Sequence, residues 1–310
     1  MQDIPPPPDP SDDALQSAMP ALRKTSITGW AAIVGIAVVT IPAMILIGSA
    51  AENRTEWLIG LPVAGIFAIF YAASWVRKRH ESDVMPILAQ AFGLRYVKSP
   101  VTYFNMLPAN FVPHGGLQHC DDLMSGTIAE RQYQFLEIKT ETGGKNSRTL
   151  FDGVVVEVAT RRSLPGFLIA PLAETQGFWI FKGRVGVDEK ALMFTTPGPN
   201  GQDYGLWMDA GEQVNTAVLR PFMDRMLTLG TTIADGSLYS VACMNKTIFV
   251  SIRHKLELFQ IGGLLASEAD IMQDIRHASS QFAMPLRLAT DVMRAEDSLI
   301  AAMDKVAQPH

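Results

Sequence analysis

ITGWAAIVGIAVVTIPAMILIGSAA, residues 27–51, and WLIGLPVAGIFAIFYAASWV, residues 57–76, contain no Asp, Glu, Lys, Arg or His. Each run is long enough, as a helix, to span a hydrocarbon core: about 20 residues at about 1.5 Å each cover about 30 Å. Pro42 lies inside the first run, a position that water disfavours and a bilayer tolerates with a kink. Only Glu52-Asn53-Arg54-Thr55-Glu56 joins the runs, so the reading is an antiparallel two-helix transmembrane hairpin over residues 27–80. Trp30, Trp57, Tyr71 and Trp75 near the run ends suit a headgroup layer.

The flanking charge sets the expected orientation. Arg23 and Lys24 precede the first run, and Arg77, Lys78 and Arg79 follow the second. Lys and Arg are retained on the cytoplasmic side, so both termini are expected there, with the lipid bilayer as partner. A cleaved signal peptide fits less well, because the run is long and Asp3, Asp9, Asp12 and Asp13 precede it. Gly60, Ala64, Ala68 and Ala72 recur at every fourth position and form a small-residue stripe. That stripe serves packing inside the hairpin or, alternatively, a homo-oligomer. Residues 1–26, opening with Pro5-Pro6-Pro7-Pro8, read as a disordered Pro-rich tail.

About 230 residues follow the hairpin, enough for one large domain or two small ones. A net charge of −5 over 310 residues, with no long basic stripe, argues against nucleic acid. Cys120 and Cys243 are the two cysteines, too far apart in sequence for a CxxC pair, and read as free thiols.

Val84, Ile87, Leu88, Ala91 and Phe92 follow helical spacing, with Ser82 as N-cap and Gly93 as stop. This helix either continues the second run or turns along the surface. Residues 100–116 read as a loop. Met124–Glu130, Tyr133–Glu141, Leu150–Ala159, Phe167–Ala170 and Phe178–Val185 are β-rich and separated by turn clusters, which predicts an antiparallel sheet. A second loop is expected over Pro197–Gly205, then a helix over Glu212–Leu229 kinked or split by Pro221. Tyr239–Met244 and Thr247–Arg253 predict a hairpin around Asn245-Lys246. Ser267-Glu268-Ala269-Asp270 resembles a capping box opening a helix that Pro285 ends or bends, with a last helix from Leu286 towards Met303. The expected fold class is α+β: an α+β cytoplasmic domain at 81–296 with an antiparallel sheet and flanking helices, and a C-terminal helix end at 297–310.

Few residues suggest chemistry. His114, His119, Cys120, Asp121 and Asp122 lie within nine residues and are all able to ligate a metal, but their spacing matches no standard site. The bland alternative is a surface loop leading into a turn, with Asp122 accepting backbone hydrogen bonds. Asp122 and Glu137 are the catalytic candidates, as an acid and base converging across strands. A Lys or Arg partner or simple solvation is the structural alternative for each. Gly143-Gly144-Lys145-Asn146-Ser147 lacks both the preceding glycine and the following Ser or Thr of a phosphate loop. No metal and no cofactor is expected.

Asp122-Leu123-Met124-Ser125-Gly126-Thr127-Ile128, then Glu137, then Phe151-x-Gly153-Val154-Val155-Val156, resembles the domain-of-unknown-function 3137 family, a group of uncharacterised bacterial membrane proteins. The resemblance extends from Ile27 to Met293, with departures at His119-Cys120 and around Pro197–Leu206. It implies a multi-pass protein of the bacterial inner membrane and no assigned activity. The leading functional expectation is therefore a membrane-anchored, non-enzymatic interaction or scaffold module with a membrane or cytoplasmic protein partner. The alternatives are a membrane-bound hydrolase or metal-dependent enzyme using residues around Asp122 and Glu137, and a lipid-binding or sensing domain.

Overall fold

The β-branched and aromatic runs after Leu117 assemble, in the computed structural model of the chain, into one nine-stranded sheet. The structure describes residue 20 and residues 27–28, 30–31, 34–43, 54–100, 102–108, 111–113, 115–172, 190–209, 215–233, 235–254, 258–259 and 268–307. The strands are β1 (Arg95–Val97), β2 (Leu117–Ile128), β3 (Arg131–Glu141), β4 (Thr149–Ala159), β5 (Phe167–Pro171), β6 (Lys190–Pro197), β7 (Asp203–Asp209), β8 (Ser237–Met244) and β9 (Thr247–Arg253). Their order across the sheet is β1-β2-β3-β4-β9-β8-β5-β7-β6, with every pairing antiparallel. Among the described residues the helices are α1 (Arg54–Ala91), α2 (Thr216–Leu229), α3 (Glu268–Gln281) and α4 (Ala283–Ala307), and residues 34–43 are also helical. The α+β class with a large antiparallel sheet and flanking helices is as expected.

The chain divides into two compact units. The second comprises Leu94–Leu256 and Ala283–His310 and holds the sheet with α2 and α4. On β4, Val154, Val155 and Val156 are all fully buried. Successive strand side chains point to opposite faces, so both faces of this strand are covered. Each such burial is worth about 1.5–3 kcal/mol. Leu136, Ile138, Phe151 and Val155 join a cluster closed by Tyr103, Phe104, Phe111 and Val112, from the segment after β1. Helix α4 packs on β3 and β4, and α2 on β6 and β8.

Local chemistry explains several joints. Asn245 and Lys246 both take positive φ, 52° and 62°, as a two-residue hairpin turn requires, and the predicted β8–β9 hairpin is present. Ala129 and Glu130 do the same between β2 and β3 without any turn signature in their residue types. Gly153 on β4 is needed for close approach: a Cβ there would lie 2.1 Å from the Ile252 carbonyl oxygen on β9.

The first unit comprises Met1–Gly93 and Glu257–Phe282. Its backbone is dominated by α1, 38 residues long. Gly93 ends this helix with φ +70°, as predicted. The rings of Phe92 and Phe282 stack with centroids 5.1 Å apart, and Phe259 adds a second ring contact to Phe282.

Among the described residues, no helix is long and apolar enough to cross a membrane. This overturns the multi-pass inner-membrane placement with cytoplasmic termini and leaves the two-helix transmembrane hairpin at 27–80 unsupported. The longest uncharged stretch within α1 is residues 57–76. Arg77-Lys78-Arg79 follow it at once.

Other expectations are corrected. Arg54-Thr55-Glu56 belong to α1 and are not a link. Ser82 is no N-cap: it lies inside α1, where its hydroxyl donates to the Lys78 carbonyl oxygen at 2.8 Å. His119 to Asp122 lie within β2, not in a loop. Pro221 does not split α2, which runs on from Thr216 to Leu229. Pro285 lies in the first turn of α4, where its missing N–H has no intrahelical acceptor to lose. Strands β6 and β7 were not anticipated. The tail before Pro20, the strand expected at Phe178–Val185 and the capping Ser267 lie outside the described residues.

Candidate functional site

Asp122 stands where β2 is irregular. The register with β3 shifts between Asp121 and Met124, and Asp122 itself takes a φ of 51°. The bulge turns a short acidic side chain towards β1. There its Oδ1 accepts from the Tyr96 hydroxyl and from Lys98 Nζ at 3.2 Å. Lys98 Nζ also lies 3.1 Å from Asp121 Oδ1, which accepts from Ser99 Oγ at 3.3 Å. Burial pushes the Asp122 carboxyl above its ordinary range, opposed by Lys98 and Tyr96. The Lys partner offered as its structural alternative is thus present, whereas the backbone donors in a surface loop are not what holds it.

Glu137 does not stand opposite Asp122: the ladder pairs it with Asp121 on β2 and with Val154 on β4. His119 is exposed opposite Lys139, and the next residue, Cys120, lies half-buried opposite Ile138. Neighbouring strand residues point to opposite faces, so these two side chains diverge. Among the described residues, no group of three or more His, Cys, Asp or Glu could hold a metal ion. His114 lies outside the described residues.

Burial pushes the Cys120 thiol up to about 11 and the buried Cys243 thiol up to about 12. Both are protonated at neutral pH, which is the opposite of an activated nucleophile. The Tyr103 hydroxyl donates to Glu157, and burial raises both groups. This contact was not read from the sequence, although a lone Glu between Val156 and Val158 was a visible signal.

The strongest polar network is a fastening. Arg131 is ion-paired with the fully buried Glu296 of α4, donates from Nε to the Ala159 carbonyl at 3.0 Å, and lies 3.4 Å from Asp297. The Arg161 backbone N–H donates to the other Glu296 oxygen at 2.8 Å. Every one of these groups is spent on holding α4 to the ends of β3 and β4.

The surface that remains unmatched is apolar. On α1, Phe67 is 69 % exposed, Phe70 69 %, Tyr71 76 % and Trp75 46 %. Ile36, from the helical stretch 34–43, joins Phe67, Ala68, Tyr71, Ala72 and Trp75 around a groove of about 760 Å³ in the first unit. Ala68 is half-buried and Ala72 buried, so this part of the small-residue stripe forms the floor of the groove, while Ala64 is exposed. Side chains that read in sequence as one uniform apolar run are therefore sorted into walls, floor and rim.

The second unit defines the class, an α+β protein built on a nine-stranded antiparallel sheet. No family model matches the chain, and no curated protein matches it. Among solved structures it is similar to the mycobacterial trehalose monomycolate transport factor A, TtfA, with 13 % identity and a TM-score of 0.32, over 66 % of this chain and 92 % of that one. Similarity at this level assigns no activity.

Proposed function

We propose that this protein is a non-enzymatic interaction module whose contact surface is the exposed apolar face of α1. The observation that carries the reading is the set of exposed rings at Phe67, Phe70, Tyr71 and Trp75 on the helix that lines an apolar groove. Covering them recovers about 25 cal/mol per Å² of apolar surface, a driving force available only when another molecule docks. The polar clusters support the same reading from the other side. Asp122 is engaged by Tyr96 and Lys98, Glu296 by Arg131, and both thiols are protonated.

The test is site-specific photocrosslinking of the full chain in cells, with a photoreactive phenylalanine analogue replacing Phe70. A stoichiometric adduct of fixed mass that disappears in a Tyr71→Asp background is expected. A chain that gives no protein adduct from this position would remove the proposal.

A further inference from the structure

We propose that His277 and Gln281 form an acid-sensitive latch on the left-handed backbone of Phe259, in the first unit. Phe259 takes a φ of 57°, a conformation that the Cβ of a bulky residue opposes. It is held there from two sides. Its backbone N–H donates to Gln281 Oε1 at 2.6 Å, and its buried ring lies on Phe282, with centroids 5.1 Å apart. Phe282 stacks in turn on Phe92, the residue before the helix-ending Gly93. Backbone strain of this kind persists only where the surroundings over-determine it, and switch regions are among the places that hold it.

Hydrogen-bond chemistry sets the protonation state in which the latch is closed. A backbone N–H can only donate, so the Gln281 amide presents its oxygen to Phe259. Its Nε2 then faces His277 Nε2 at 3.2 Å, one turn earlier on α3. An amide nitrogen also only donates, so His277 Nε2 accepts, which requires the neutral ring with its proton on Nδ1. A protonated ring donates from both nitrogens and competes with Phe259 for the single oxygen of Gln281. The charge-assisted bond it would form there is stronger than the neutral bond it displaces. Turning the amide over to satisfy the ring sets its NH2 against the Phe259 N–H, donor against donor, and the strained backbone loses its tie. His277 is exposed, so protons reach it directly. Its titratable neighbours on α3 are Asp270, Asp274 and Arg276. Among the described residues, no Asp, Glu, Lys or Arg of any element stands within ion-pair distance of it.

The experiment is amide hydrogen exchange, read by NMR on the full chain with isotope-labelled phenylalanine. The Phe259 resonance is assigned by its absence from Phe259→Tyr. Between about pH 7.5 and about pH 5.5 the protection of the Phe259 N–H, corrected for intrinsic exchange, is expected to fall at least about tenfold, while that of Phe249 in β9 holds. His277→Leu has no ring nitrogen to protonate and is expected to flatten this profile. Gln281→Glu offers an oxygen to each partner, so Phe259 is expected to stay protected at about pH 5.5. Constant protection in the wild-type chain would overturn the inference, because the protonated ring would then turn to water without moving Gln281. A fall that persists in His277→Leu or in Gln281→Glu would also overturn it, as would one that Phe249 shares, which is general acid unfolding. The photocrosslink at Phe70 on α1 is independent of these outcomes, so the latch and the interaction-module reading stand or fall separately.

Discussion

The Tyr96 hydroxyl donates to the Asp122 carboxylate across the β1–β2 pairing, and Lys98 Nζ reaches the same oxygen at 3.2 Å. The bulge that aims Asp122 at them is held by a residue with left-handed backbone, so geometry and electrostatics meet at one side chain.

This gives a signed pH prediction. Burial holds the folded Asp122 pKa above its unfolded value. Such a carboxyl contributes stability that is complete below about pH 4 and is lost as pH rises through the folded pKa. Asp122→Asn removes that titration. Urea denaturation of both proteins between about pH 4 and about pH 7 should show the variant gaining on the wild type as pH rises. A gap that stays constant or moves the other way would contradict a burial-dominated Asp122.

The Arg131–Glu296 pair should be costly to break from one side only. Arg131→Met leaves a fully buried carboxylate without its cation and is expected to cost about 3–5 kcal/mol. The double variant Arg131→Met/Glu296→Leu should recover most of that loss, because two matched apolar groups replace two charges. Denaturant midpoints of the two single variants and the double variant close the cycle.

Gly153→Ala places a methyl 2.1 Å from the Ile252 carbonyl oxygen, a backbone atom that cannot swing aside. Separating β4 from β9 in the middle of the sheet is expected to cost about 3 kcal/mol or more. The corresponding fall in thermal midpoint, by calorimetry, is the check.

Lys246→Gly should stabilise. Lys246 holds a φ of 62° in the β8–β9 turn, a conformation in which a Cβ costs about 1 kcal/mol, and Asn-Gly is the preferred pair for such a hairpin. A gain of about 0.5–1 kcal/mol in urea unfolding is expected. A loss would mean that the Lys246 carbonyl, which accepts from the Thr160 N–H at 2.8 Å, is displaced by the change.

Strands β3, β4, β8 and β9 were legible because they are rich in β-branched and aromatic residues and mostly buried, and Gly93 and Asn245-Lys246 mark ends that backbone sterics require. Strand β6 was not. It lies at the sheet edge, several of its residues face water, and its register shifts between Leu192 and Phe194, so it carries no clean pattern of period two. Of the candidate site, Asp122 and Cys120 were visible as residue types. Their bulge and their divergence from Glu137 and His119 follow from pairing with other strands.

Residue order alone determined that this chain makes an α+β fold with an antiparallel hairpin at Asn245-Lys246 and a helix ending at Gly93, because those features depend on neighbours within a few positions. Only the tertiary structure decided that Arg131 meets Glu296, that Lys98 and Tyr96 claim Asp122, and that Phe67, Phe70 and Tyr71 of a uniformly apolar run stand in the open while Ala72 and Val76 do not. Those outcomes rest on which surfaces approach through space, and hydropathy along a chain does not record what lies opposite each side chain.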